Sequence, residues 1–397
     1  MCVLLALMAT VFSYAILYSP QPLLPFLAGA FGVSRPQAAL LITVTMFPMS
    51  LAPLSYGYLL ESLSATKMLR WAILFLAVTV ATFACATSFT VLLIVRFLQG
   101  LLLPAALTSI MTYLSAAVPG DKIQRIMSFY ITATIVGGFM GRLVAGGVAT
   151  YFHWRLFFAV LAVLLLIGFF LLQRLQQQEV QLHPTRPNLA ALMEVVKTGN
   201  NALILLSVIC LFFVFVALLN FLPFRLKALR KETSEFFTAF MYSGYVMGAF
   251  ASLAAGRIVR CLRGEANAMI LGFLCYCAAI VVTLISNEWV IFAALFLFCG
   301  SMFFVHTVAA AVVNKNGMRY KGIVNGLYVA CYYAGGALGS YFPGIVYERY
   351  GWNVFVLMLL AIAGCGLAIA FVSRDCSRRS CIVDEVPTNG ICAEAGE

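Results

Sequence analysis

Twelve apolar runs of about 20 residues, parted by short polar gaps, constrain this chain more than any other feature. In a bilayer core the chain must satisfy its own backbone N–H and C=O groups, which leaves helices or a closed barrel. The runs are unbroken and lack the alternation of barrel strands, so they predict helices. Polar breaks place the spans at 3–29, 36–58, 67–87, 89–117, 125–149, 154–173, 201–224, 235–256, 266–286, 288–312, 321–345 and 352–372. A soluble domain is excluded by 63% apolar against 10% charged residues. The first run has neither a basic leading segment nor a clear small-residue cleavage site, so it reads as a span rather than a cleaved leader.

The longest polar gap, 174–200, holds Gln176, Gln177, Gln178, Glu179, His183, Pro184 and Pro187 and reads as a cytoplasmic linker. It divides the chain into an N-terminal six-helix bundle (1–173) and a C-terminal one (201–373), followed by a disordered cytoplasmic tail (374–397). With both ends cytoplasmic, sixteen of the 25 Lys and Arg fall on the inner side and seven on the outer. That is the bias expected of cytoplasmic loops, with the cluster from Arg225 to Lys231 as its exception. The net charge of +11 is scattered through these gaps with no basic stripe or aromatic interleaving, so it is a topology signal and not a nucleic-acid surface. Most of the 12 cysteines sit inside apolar runs as small hydrophobes; Cys376, Cys381 and Cys392 lack paired metal spacing.

The two bundles repeat each other. Gly137, Gly138, Gly141, Gly146, Val148, Trp154 and Phe157 recur, without gaps, as Gly335, Gly336, Gly339, Gly344, Val346, Trp352 and Phe355. The same shift (137 to 335, hence 198) pairs Pro25-Phe26 with Pro223-Phe224. A unit of six spans keeps its orientation, so the predicted fold is all-α and polytopic, with two parallel six-helix repeats around a central cavity. Pro20, Pro22 and Pro25 predict a break in the first span, where its repeat partner carries Pro223. The glycine series admits close helix packing.

Every one of the fourteen acids lies in a loop, tail or helix end, whereas Arg96 and Arg142 lie inside spans. A buried charge is costly unless solvated or paired. The two arginines therefore either bind backbone carbonyls or face a wet cavity and present positive charge to a substrate, a task that suits a guanidinium. The second reading is taken here. His306 is the one histidine within a span and the one side chain there that titrates near neutrality, so it is the candidate for proton coupling. Tyr14, Tyr18 and Gln21, Asn220, and Asn325, Tyr328, Tyr332 and Tyr333 complete the polar candidates for substrate binding. Tyr14 with Tyr18, and Tyr328 with Tyr332, share a helix face.

At these residues the chain resembles the major facilitator superfamily, and within it the YnfM-like branch of bacterial inner-membrane exporters. Arg96-Phe-Leu-Gln-Gly100 is similar to the family's Arg-x-x-x-Gly element, and Gly137-Gly138-Phe-Met-Gly141-Arg142-Leu to a segment of that branch. Further matches are Trp154-Arg155, Phe303-Phe-Val-His306-Thr, Tyr332-Tyr333 and Tyr350-Gly351-Trp352-Asn353. The signature loop after the second span, usually Gly-x-x-x-Asp-Arg-x-Gly-Arg, runs here from Gly57 through Glu61 to Lys67 and keeps only the acid. Its second copy, from Gly256 through Arg260, keeps basic residues without an acid. The resemblance implies a conformational gate at Gly57, Glu61, Lys67, Gly256 and Arg260, with Gly137, Gly141, Gly335 and Gly339 on the moving helices. Glu61 is then a second proton-coupling candidate. Arg142 stands where drug antiporters have proline, and the first-span acid of many proton-coupled exporters is absent.

The resemblance implies a secondary transporter of the inner membrane, working as a monomer in the lipid bilayer with protons as coupling ion. No phosphate-binding loop couples ATP, and no cofactor or metal is expected. Two unpaired arginines favour a small anionic substrate, an organic acid or carboxylate-type siderophore. The alternatives are efflux of neutral or cationic amphipathic compounds and a non-transporting membrane receptor of the same fold. An enzyme is disfavoured, since no intramembrane carboxylate pair or nucleophile–base pair is present.

Overall fold

The computed structural model describes residues 2–62, 64–116, 118, 122–173, 189–316 and 321–384. In chain order the helices are α1 (Cys2–Tyr18), α2 (Leu24–Phe31), α3 (Arg35–Ser62), α4 (Ala65–Cys85), α5 (Phe89–Ala116), α6 (Ile123–Tyr151) and α7 (Trp154–Leu172). Then come α8 (Leu189–Lys197), α9 (Asn201–Leu229), α10 (Glu235–Phe240), α11 (Tyr245–Cys261), α12 (Glu265–Val282), α13 (Glu288–Asn316) and α14 (Lys321–Asp384). Among the described residues, ten stretches are long and apolar enough to cross a membrane. One of them, Ile323–Asp375, is folded into two arms at Gly351, whose φ of 82° lies in the left-handed region open to glycine. Counting both arms and adding the 28-residue α3 recovers the twelve expected spans. Exposed Trp71, Phe75, Val160, Ile167, Phe170, Phe250 and Leu253 give the bundle the apolar exterior that lipid requires.

The turns at Gly32, Ala86, His153, Arg230 and Gly351 gather at one end of the bundle and those around Ser64 and Gly264 at the other. Local chemistry sets several of them. The Gly32 N–H bonds Ala28 O, the Val33 N–H also returns to Ala28 O, and Gly32 takes φ 63°, a glycine stop to α2. Ser34 and Gln37 then cap α3 reciprocally, by Ser34 N–H to Gln37 Oε1 at 2.8 Å and Gln37 N–H to Ser34 Oγ at 3.4 Å. Ser64 Oγ accepts the Lys67 N–H to start α4.

Packing bears out the parallel repeat atom by atom. A Cβ on Gly137 would stand 2.4 Å from Val11 O, and one on Gly335 2.4 Å from Ile209 O. A Cβ on Gly141 would meet the Ala15 backbone at 2.5 Å, and on Gly339 the Phe213 backbone. Val11 to Ile209 and Ala15 to Phe213 are again 198 apart (209 − 11 and 213 − 15). The α6–α1 and α14–α9 seams are therefore the same seam built twice.

The first span breaks as its prolines predict. α1 ends at Tyr18, Ser19 N–H bonds Ala15 O, and a 3₁₀ turn over Gln21–Leu23 leads into α2. Its repeat partner does not break. Pro223 leaves Leu219 O without its helical donor, and the Tyr242 hydroxyl supplies one at 2.8 Å, so α9 runs on to Leu229. Tyr242→Phe should orphan that carbonyl and lower stability by about 1–3 kcal/mol, read as a fall in the detergent-solubilised Tm. The linker and tail also differ from expectation. Part of 174–200 forms α8, held by Asn201 Nδ2–H on Val195 O at 2.9 Å, and the last helix continues through 374–384, assigned above to a disordered tail.

Candidate functional site

The two bundles meet between the middle of the span and the Gly32 end, and Arg142 sits at that meeting. It is fully buried. Its Nε donates to Gln21 Oε1 at 2.7 Å, Nη1 to Gly138 O at 2.7 Å and Nη2 to the Tyr245 hydroxyl at 2.9 Å. Three rings cover the guanidinium, Tyr18 at 4.2 Å, Tyr245 at 4.5 Å and Tyr242 at 4.9 Å. Cation–π contacts of this kind are strongest where water is excluded. Gln21 carries the chain onward, donating from Nε2 to Asn220 Oδ1 at 2.6 Å. Asn220 is buried and its Nδ2 has no partner. So Arg142, Gln21 and Asn220 form one polar line from α6 across the broken first span to α9.

Deeper in the bundle an aromatic cluster continues this line. Tyr245 contacts Phe215 at 5.6 Å, Phe215 contacts Phe212 at 5.9 Å, and Phe212 stacks on Tyr332 at 3.5 Å. From the other bundle Tyr14 stands 6.3 Å from Tyr18, beside Tyr333. His306 closes the cluster, 4.8 Å from the Tyr332 ring and 5.4 Å from Tyr328. The Tyr328 hydroxyl lies 2.8 Å from His306 Nδ1 and 3.0 Å from His306 O. The tyrosine has one proton for these two acceptors, so its hydroxyl and the His306 ring form a pair whose proton positions set one another.

Arg96 does not join this site. It is 1% exposed, and its fork is spent on Leu41 O (2.8 Å), Ile16 O (2.8 Å), Leu17 O (2.9 Å) and Gln99 Oε1 (2.9 Å). Ile16 and Leu17 end the broken α1, where carbonyls have no helical donor. Arg96, read from the sequence as a substrate-facing cation, is placed here on the carbonyls of the break that the prolines create. Asn325 is exposed on the first arm of α14 and is not gathered with Tyr328 and Tyr332. The glycines Gly137, Gly141, Gly335 and Gly339 serve the two seams. Gly57 and Glu61 lie on α3, but their side chains fall outside the described residues. Lys67, Gly256 and Arg260 are exposed near the Ser64 end, away from the cluster.

The residues that sequence reasoning missed are Tyr242, Tyr245 and Gln99. Tyr242 lies within a 3₁₀ turn over Met241–Gly244 and Tyr245 directly follows it, three residues on in a span that otherwise reads as apolar. Their mid-span position, away from the interfacial belts, was the available signal.

A twelve-span bundle of two parallel repeats, with a caged cation and an aromatic cluster between them, defines a polytopic membrane transporter. The chain belongs to the Major Facilitator Superfamily, whose sequence profile matches residues 6–339. Its function is membrane transport. Over 358 residues it is 28% identical to the inner membrane transport protein YnfM of Escherichia coli K12, covering 88% of this chain and 86% of that one. It is 25% identical to YybF, an uncharacterized transporter of the same superfamily from Bacillus subtilis 168, covering 87% of each. Among solved structures, a bacterial homolog of the human lysosomal transporter Spinster, inward-facing and unoccupied, matches with TM-score 0.78 at 12% identity over 95% of this chain and 97% of that one. The nucleoside transporter NupG matches with TM-score 0.79 at 14% identity over 95% and 100%. These likenesses show the fold.

Proposed function

We propose that this protein is a secondary active transporter of the bacterial inner membrane that carries a small anion, an organic acid or carboxylate-type siderophore, by alternating access with protons as the coupling ion. The observation that carries this reading is the neutrality of every contact made by Arg142. An amide oxygen, a carbonyl, a hydroxyl and three rings hold it, and none of them is a carboxylate. Its charge thus stays uncompensated between the bundles, and an anion is the partner that balances it. The sixteen-to-seven bias of basic residues puts the Ser64 end in the cytoplasm. On that orientation the contacts described above close the periplasmic end. The name of the relative from Escherichia coli supports the inner membrane.

A second reading, export of an amphipathic neutral or cationic compound, is favoured by the ring-rich lining of Phe212, Phe215, Tyr332 and Tyr14. Counterflow in proteoliposomes separates the two. Labelled citrate should exchange and tetraphenylphosphonium should not; exchange of the cation alone overturns the anionic reading.

A further inference from the structure

We propose that Arg142 and Gln21 form a two-donor anion site which the closed periplasmic end occupies with its own residues, so that latching the two bundles and holding a carboxylate are competing uses of the same hydrogen atoms. This inference rests on the anionic reading and on the orientation given above.

The closed state uses each donor across the bundle interface. Arg142 Nη2 donates to Tyr245 OH, and Gln21 Nε2 donates to Asn220 Oδ1, both acceptors belonging to the C-terminal bundle. The donor side stays together by itself, because Arg142 Nε is bonded to Gln21 Oε1 and Nη1 to Gly138 O within the N-terminal bundle. Tyr242 and Tyr245 reach Arg142 from the segment that follows α10. α10 itself is seated on α6, where a Cβ on Gly146 would lie 2.5 Å from both Glu235 O and Ala239 Cβ. Nearby the Phe236 N–H bonds Thr150 Oγ1 at 2.9 Å.

Opening this end withdraws α10 and α11 from α6 as one piece. Two of the three rings over the guanidinium leave with them, and so does the Nη2 acceptor. If α9 separates in the same motion, Gln21 Nε2 loses Asn220 as well. Two neighbouring N–H groups, one of them charged, then face the periplasm unpaired in a site still floored by the Tyr18 ring. A carboxylate offers two acceptor oxygens to such a pair, and charge-assisted bonds of this type are among the strongest available. Closure in turn requires that Tyr245 and Asn220 take the donors back, which ejects the anion or passes it deeper toward the aromatic cluster.

The test measures the periplasmic opening and its response to citrate. Spin labels carried on unnatural amino acids replace Thr87 and Glu232, exposed positions at that end on opposite bundles. Distances are read in nanodiscs by double electron–electron resonance. In the wild type a short distance dominates and citrate adds a longer one. Tyr245→Phe keeps the ring but loses the acceptor, so the longer distance should appear without citrate, with the closed-to-open ratio lowered about tenfold. It should also bind citrate more tightly. Arg142→Gln should show the longer distance without citrate and no further change with it. Wild-type distances in both variants overturn the latch. A citrate response that survives Arg142→Gln overturns the anion site while leaving the anionic substrate standing. Variants that open, in a protein indifferent to citrate, overturn the anionic reading and the competition built on it.

Discussion

Arg96→Ala should deplete the folded protein from the membrane, with a loss of about 3–5 kcal/mol, whereas Arg142→Gln should leave folding largely intact and act on transport. The two arginines look alike in the sequence, each alone in an apolar span. The structure separates them by what each one satisfies. Arg96 bonds two carbonyls at the end of α1, a third on α3 and the Gln99 amide oxygen. Alanine strands three buried acceptors, the Ile16 and Leu17 carbonyls and Gln99 Oε1, while Leu41 O keeps the Thr45 hydroxyl at 3.0 Å; each stranded acceptor carries a desolvation penalty. Lysine restores the charge but not the planar fork, so Arg96→Lys should recover only part of the loss. The measurement is the yield and Tm of monodisperse protein in detergent for each variant. An Arg96→Ala protein as stable as wild type removes the capping role.

His306→Gln should abolish pH-driven accumulation while leaving downhill exchange near the wild-type rate. A proton-coupled carrier needs a group whose proton affinity differs between its two conformations. The bundle interiors offer no carboxylate, tyrosine titrates too high, and arginine stays charged. A histidine is the side chain there that can both gain and lose a proton. Its Nδ1 is paired with the Tyr328 hydroxyl, and its ring faces Tyr332, a surface that would stabilise the imidazolium. Glutamine keeps a donor and an acceptor but cannot gain charge. The sign follows: the wild type should accumulate substrate more strongly as the proton-rich side is acidified, and the variant should not respond. The assay pairs concentrative flux under an imposed gradient with counterflow in its absence. Equal accumulation by wild type and His306→Gln removes the histidine from coupling.

The sequence carried the architecture because bilayer chemistry leaves few options. Apolar length gave the spans, and the glycine series gave the repeat, since only glycine lets Val11 and Ile209 approach their partner helices so closely. The site was half legible. Arg142, Gln21, Asn220, Tyr18 and His306 stand out as polar groups in apolar runs, and the fold brings all five to the interface or the cluster beside it. What the sequence could not decide was which unpaired arginine found carbonyls. That depends on where α1 ends, and on which of two proline-bearing spans is rescued by a donor elsewhere. Pro223 looks as disruptive as Pro20 until Tyr242 is seen to stand over Leu219. Tyr245 was missed for a similar reason, since its partner lies 103 residues away on the other bundle.

The joints between the bundles have a bearing on what the cell's surroundings can do to this protein. Among the described residues they include Arg142 on Tyr245, Gln21 on Asn220, Thr43 on Ser340, Thr150 on the Phe236 amide and Arg35 over the Tyr347 ring at 4.9 Å. None of these is an ion pair; among the described residues, pairs such as Lys227 with Glu235 lie within the C-terminal bundle. Dissolved salt weakens attraction between opposite charges far more than it weakens hydrogen bonds between buried groups. Across these joints the balance between open and closed should therefore respond little to external salinity, from dilute water to brine.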